Sequence, residues 1–183
     1  MANTALLLMD LQRRMVGMVG DDGYLPRVQD AAGAARTAGL PVIHVAVGFR
    51  AGHHEIDRRN AAFGQIPEGA FTDADPDATV HPDIAPRDGE PLVHKKRVSA
   101  FAGSDLDLIL RAGDVDHLVL TGIATSGVVL STLRQAADLD FAITVLADAC
   151  YDADPEVHRV LTEKIFPKQA EVTTVKEWAA ALG

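Results

Sequence analysis

The chain has 183 residues, of which 48% are hydrophobic and 23% charged; 17 Lys and Arg against 26 Asp and Glu give a formal net charge of −9, and Cys150 is its one cysteine. These figures exclude a disordered chain, an internal disulfide and a cysteine-rich zinc site, and they argue against nucleic-acid binding by bulk electrostatics. They predict one domain, residues 1–183, in a reducing compartment.

Residues 2–9 form a short apolar run closed by Asp10. No basic segment precedes it, so it reads as neither a signal peptide nor a membrane span, and a cytoplasmic location is expected. Within it, residues 5–9 predict a strand buried on both faces. Residues 25–38 are Ala-rich with apolar spacing near 3.6, and Gly39 stands where a helix ends. Residues 41–47 predict the second strand and 92–94 a short third. A helix over 105–112 stops at Gly113. The fourth strand is expected at 117–121, a helix at 127–138 and the fifth strand at 141–146. Pro155 opens a helix over 155–165. A sixth strand at 171–174 and a closing helix at 175–182 complete the chain.

Strands alternating with helices imply right-handed crossovers and a parallel sheet covered on both faces, an α/β fold. Residues 48–90 break the pattern. They are long, polar and rich in Gly, Pro, Asp and His, which suits a lid or a subunit contact. Ligands of such sheets bind beyond the carboxyl ends of the strands. Asp10, Lys95 and residues 121–129 all lie there, and they converge if strands one, three and four adjoin.

A carboxylate at the end of a buried strand has its pKa raised and can act as an acid or base; Asp10 could equally cap a helix. Lys95 could hold Asp10 ionised or stabilise an oxyanion, or it could belong to a solvated basic cluster with Lys96 and Arg97. The two adjacent lysines should point to opposite faces. Ile123, Ala124, Thr125, Ser126 and Gly127 lead from a strand into a helix, where backbone N–H groups can hold an anion, or form an ordinary turn. His53, His54 and Glu55 match no metal-ligand spacing. No metal and no cofactor is expected, and the expected partner is a small-molecule substrate, with neither nucleic acid nor membrane.

Four segments together resemble the isochorismatase-like hydrolase superfamily: Leu7-Leu8-Met9-Asp10-Leu11-Gln12, Lys95-Lys96-Arg97-Val98-Ser99-Ala100-Phe101, residues 118–132, and Ala147-Asp148-Ala149. The resemblance spans nearly the whole chain. It implies a Rossmann-like α/β/α sandwich on a six-stranded parallel sheet, a homodimer or homotetramer, and a cis peptide at Ile123-Ala124. It places the catalytic aspartate on Asp10 and the lysine on Lys95. The nucleophilic cysteine falls on Val128, which has no nucleophilic atom. Ser126 and Cys150 are the residues that could replace it. Isochorismatases of this superfamily cleave a vinyl ether by protonation from the aspartate and need no cysteine. Their glutamine and tyrosine correspond to Val47 and Ala124 here. The resemblance therefore implies either a hydrolase of a C–N or vinyl-ether bond that works through Asp10 and Lys95, or an inactive member that binds a small ligand.

Overall fold

The computed structural model describes residues 3–183; Met1 and Ala2, where the apolar run 2–9 begins, lie outside them. Twelve principal elements follow the chain: β1 (Thr4–Met9), α1 (Arg13–Val16), α2 (Tyr24–Thr37), β2 (Val42–Val47), β3 (Leu92–Lys95), α3 (Leu106–Ala112), β4 (His117–Ile123), α4 (Leu130–Asp138), β5 (Ala142–Tyr151), α5 (Pro155–Val160), β6 (Glu171–Thr173) and α6 (Val175–Leu182). The six strands form one parallel sheet in the order β3-β2-β1-β4-β5-β6. Chain order reverses between β1 and β4, so a crevice is expected at their carboxyl ends.

Alternation along β1 divides its side chains between two cores. Ala5, Leu7 and Met9 join Leu106 and Leu110 of α3 and Leu133 and Ala136 of α4 on one face. Leu6 and Leu8 join Val28, Ala31, Ala32 and Ala35 of α2 and Trp178 of α6 on the other. The α2 contacts recur three and four residues apart, the stripe that a helix laid on a sheet must present. That helix ends at Thr37 with Ala38 as its cap, and Gly39 takes the left-handed φ of 70° that a glycine adopts without strain. No helix among the described residues is long and apolar enough to cross a membrane.

Four expectations need correction, and one condition is met only in part. The helix expected over 155–165 is α5 as far as Val160 and then a π-turn, Leu161–Ile165. Strand β4 runs to Ile123, two residues beyond the expected end, and takes Thr121, Gly122 and Ile123 out of the turn. Strand β5 runs to Tyr151 rather than ending at 146. Its pairing with β4 slips from Leu120↔Val145 to Gly122↔Cys150, and this bulge breaks the alternation by which a strand is read. The expected helix over 127–138 is instead a π-turn, Thr125–Val129, followed by α4. Finally, the condition that strands one, three and four adjoin holds only for β1 and β4, because β2 lies between β1 and β3.

Residues 48–90 contain no strand of the sheet. Phe49 and Phe63 pack with Val47 in a small separate core, joined by Ile56, Ile66, Phe71 and Val98. The Gln12 side chain ties this segment to the sheet. Its Nε2 donates to the Val47 and Ala78 carbonyls at 3.0 and 2.6 Å, and its Oε1 accepts from the Val47 amide at 2.9 Å.

Candidate active site

Asp10 lies immediately beyond β1. Its amide still donates to the Val45 carbonyl at 2.8 Å, and its φ of 56° turns the chain out of the strand. The side chain does not cap a helix. It meets Lys95, with Nζ 3.0 Å from Oδ2, and the two residues are 4% and 1% exposed. Neighbouring strands are about 4.8 Å apart, so β1 and β3 are about 10 Å apart, and the long lysine side chain closes that gap over the end of β2.

The ammonium is saturated. Besides Asp10 it donates to the Arg97 and Val98 carbonyls, each at 3.0 Å. Asp10 is not: its Oδ1 is buried and has no hydrogen-bond partner. Burial pushes the carboxyl up to about 6, and the charge and hydrogen bond of Lys95 only partly oppose this. Lys96 follows the strand alternation and turns away, donating to the Gly48 carbonyl.

Beside this pair runs the turn after β4, where the Ile123–Ala124 peptide is cis. Gly122 makes the close approach to β1 possible. At its φ of 142°, a Cβ would lie 2.3 Å from the Met9 carbonyl oxygen. Several amides of the turn are engaged within the protein. Those of Gly127 and Val129 donate to the Ala124 carbonyl at 3.1 and 3.3 Å, and that of Ser126 donates to Asp152 Oδ2 at 2.8 Å. Burial pushes the Asp152 carboxyl up, but the hydroxyl and amide of Ser126 outweigh this and hold it below its ordinary value. The Thr125 hydroxyl is 2.8 Å from His158 Nδ1, which fastens the turn to α5.

The isochorismatase domain model matches residues 4–177. The chain belongs to the isochorismatase family. It is 33% identical to the uncharacterized isochorismatase family protein YecD of Escherichia coli O157:H7, over 98% of this chain and 96% of that protein. It is 34% identical to the ureidoacrylate amidohydrolase RutB of Stutzerimonas stutzeri strain A1501, over 85% of this chain and 72% of that enzyme. Among solved structures it resembles an isochorismatase family protein from Burkholderia thailandensis, with a TM-score of 0.87 and 29% identity over 98% of this chain and 95% of that one.

In this isochorismatase-family chain Val128 is 2% exposed and belongs to the same core as Met9, Ala100, Phe101 and Cys150. Cys150 lies within β5, not beyond it, and its thiol is 3.9 Å from the Leu120 carbonyl oxygen. Burial pushes that thiol up to about 12, which leaves it protonated and inert near neutrality. Ser126 is exposed at the outer side of the turn. His53 is buried, with Nε2 2.7 Å from the Ala70 carbonyl oxygen, while His54 is exposed. Among the described residues no three His, Cys, Asp or Glu side chains gather as metal ligands would.

Sequence reasoning singled out Asp10 and Lys95, and the structure brings them into contact. It assigned no role to Gln12, Gly122, Asp152 or His158. The signal for Gln12 is a polar residue two places beyond Asp10, fully buried here. Asp152 and His158 are more than 25 residues from the turn they hold, a pairing that no local pattern reveals.

Proposed function

We propose that this protein hydrolyses a small molecule at a C–N or vinyl-ether bond, with Asp10 moving the proton, Lys95 holding and polarising it, and no cysteine nucleophile taking part. The observation that carries this reading is the buried, unpartnered Asp10 Oδ1 beside a saturated lysine. A buried carboxylate oxygen without a partner is costly, and a substrate or water hydrogen would satisfy it. A carboxyl near 6 exchanges protons readily at neutral pH. The relation to a ureidoacrylate amidohydrolase supports a C–N bond as the target.

For an amide, ionised Asp10 takes a proton from water as the water oxygen adds to the carbonyl carbon. The C–N bond then breaks, and Asp10 returns the proton to the leaving nitrogen. For a vinyl ether, protonated Asp10 donates to the alkene carbon, water adds to the resulting oxocarbenium and returns a proton to Asp10, and the hemiketal so formed breaks its ether C–O bond to release a carbonyl product and an alcohol. The pH profile separates these routes. A base role makes the rate fall below about pH 6, and an acid role makes it fall above. Screening ureido acids, carbamoyl amides and vinyl ethers with pure protein tests the reading. Asp10→Asn should lower turnover about 100-fold or more. Full activity in that variant overturns the role of Asp10.

A second reading, a member that binds a small ligand without turning it over, is favoured by the closure of the site: Asp10, Lys95 and Val128 are each at most 4% exposed. Saturable ligand binding with no product in the same screen would establish it, and turnover lost in Asp10→Asn would exclude it.

A further inference from the structure

A cavity of about 500 Å³ opens beside the end of β2, and neither Asp10 nor Lys95 lines it. Strand alternation separates the two places. Val93 and Lys95 are buried on one face of β3, whereas Leu92 and His94 are exposed on the other and line the cavity together with Lys96. The volume is in the range of sites for small organic ligands.

Most polar side chains around this cavity are already engaged. The Thr72 and Thr79 hydroxyls each donate to a backbone carbonyl at 2.8 Å. Asp75 accepts from Arg14 and from the amides of Phe71 and Asp77. Arg50 is paired with Glu55 at 2.9 Å. Asp73 is exposed to water. Two groups stand apart. His94 has no hydrogen-bond partner on either ring nitrogen among the described residues. Half-buried Lys96 donates to the Gly48 carbonyl and, among the described residues, forms no ion pair within 4 Å; the Glu55 carboxylate feels its charge without contacting it. The backbone is shaped around this histidine, since a Cβ on Gly48 would lie 2.7 Å from its ring.

An ammonium with donors to spare, a free imidazole and the aromatic rings of Phe49 and Phe71 form a complementary set. We infer that this cavity binds a small organic carboxylate with a flat or apolar body, its carboxylate on Lys96 and His94 and its body against Phe49 and Phe71. Charge-assisted hydrogen bonds from a partly desolvated lysine are the strong contacts of such a site. Burial, and then the charge of Lys96, lowers the His94 pKa; Asp73 and Asp105 pull it back without prevailing. The imidazole is thus neutral near pH 7 and offers one N–H to the ligand.

Calorimetric titration of the whole chain with benzoate and with uncharged benzamide tests the inference. Benzoate should bind in the millimolar range or tighter, and at least about tenfold more tightly than benzamide, a difference of about 1.4 kcal/mol. Lys96→Met should remove that preference and leave benzamide unchanged. Asp10→Asn should leave benzoate binding intact, which separates this cavity from the proposed catalytic pair. In the unsubstituted chain, benzoate should also shift the His94 ring resonances, a readout independent of how Lys96→Met folds. Benzoate binding no tighter than benzamide, unchanged benzoate binding in a folded Lys96→Met, loss of binding in Asp10→Asn, or unmoved His94 resonances would each overturn the inference.

Discussion

Two carboxylates at opposite ends of the sheet, one buried and one half-buried, are treated in opposite ways. Asp10, at the carboxyl end, has one lysine partner and one orphaned oxygen, and burial carries its carboxyl to about 6. Glu90 precedes β3 at the other end. Its carboxylate accepts from Arg36 Nε and Nη2 at 2.7 and 2.9 Å and from the Arg87 amide at 2.9 Å, and it lies 3.1 Å from His44 Nε2. Burial pushes Glu90 up as well, but the hydrogen bonds from Arg36, Arg87 and His44 prevail and hold it at about 2. Fuller burial and fewer donors act together on Asp10, whereas Glu90 is less buried and has more donors. Saturation makes Glu90 a permanent anion that braces α2 against β2, and its shortage of donors leaves Asp10 able to exchange a proton.

The contrast is broken most severely at Lys95. Lys95→Met leaves Asp10 buried without its cation and should lower stability by about 3–5 kcal/mol at pH 7, measured by urea unfolding. The pH dependence comes next. The folded-state pKa of Asp10 is raised from 3.8, so its contribution is fully present below about pH 4 and is lost as pH rises through about 6. That change is worth about 3 kcal/mol, and it should be absent in Asp10→Asn when unfolding is followed from pH 4 to pH 7.

Glu90 should show the opposite slope. Its folded-state pKa is lowered from 4.5, so its contribution is present above pH 4.5 and is lost as pH falls toward 2. Glu90→Gln should lose about 1–3 kcal/mol at pH 7, and its deficit against the parent chain should shrink in acid. A deficit that does not change with pH would remove the electrostatic account of this cluster. The smallest effect is expected for Arg36→Lys, which keeps the charge but loses the two-pronged contact. A loss of about 1 kcal/mol by thermal unfolding is the expected outcome.

Much of the fold was readable from local pattern. Continuous apolar runs marked β1 and β2, and the Ala-rich stripe ending at Gly39 marked α2, because burial on two faces or on one stripe leaves a periodic trace. The helix α6 begins and ends as expected, since Thr174 and Glu177 form a reciprocal cap that the chain carries locally. Reading failed where the backbone leaves its period. The bulge in β5 hid that strand's second half and misplaced Cys150, and the π-turn over Thr125–Val129 passed for the start of a helix.

The pair Asp10 and Lys95 was legible only through position and family resemblance. Asp10 directly follows β1 and Lys95 ends β3, but nothing in the local pattern joins two residues 85 places apart. The sequence alone carried the alternation of elements, the parallel sheet and the valine at position 128, because these follow from residue type and spacing. Strand order, the reach of Lys95 across β2, the orphaned oxygen of Asp10 and the saturation of Glu90 depend on which distant groups meet. Proton affinity in a protein interior is set by those neighbours and by the exclusion of water, and only the folded chain brings the neighbours together.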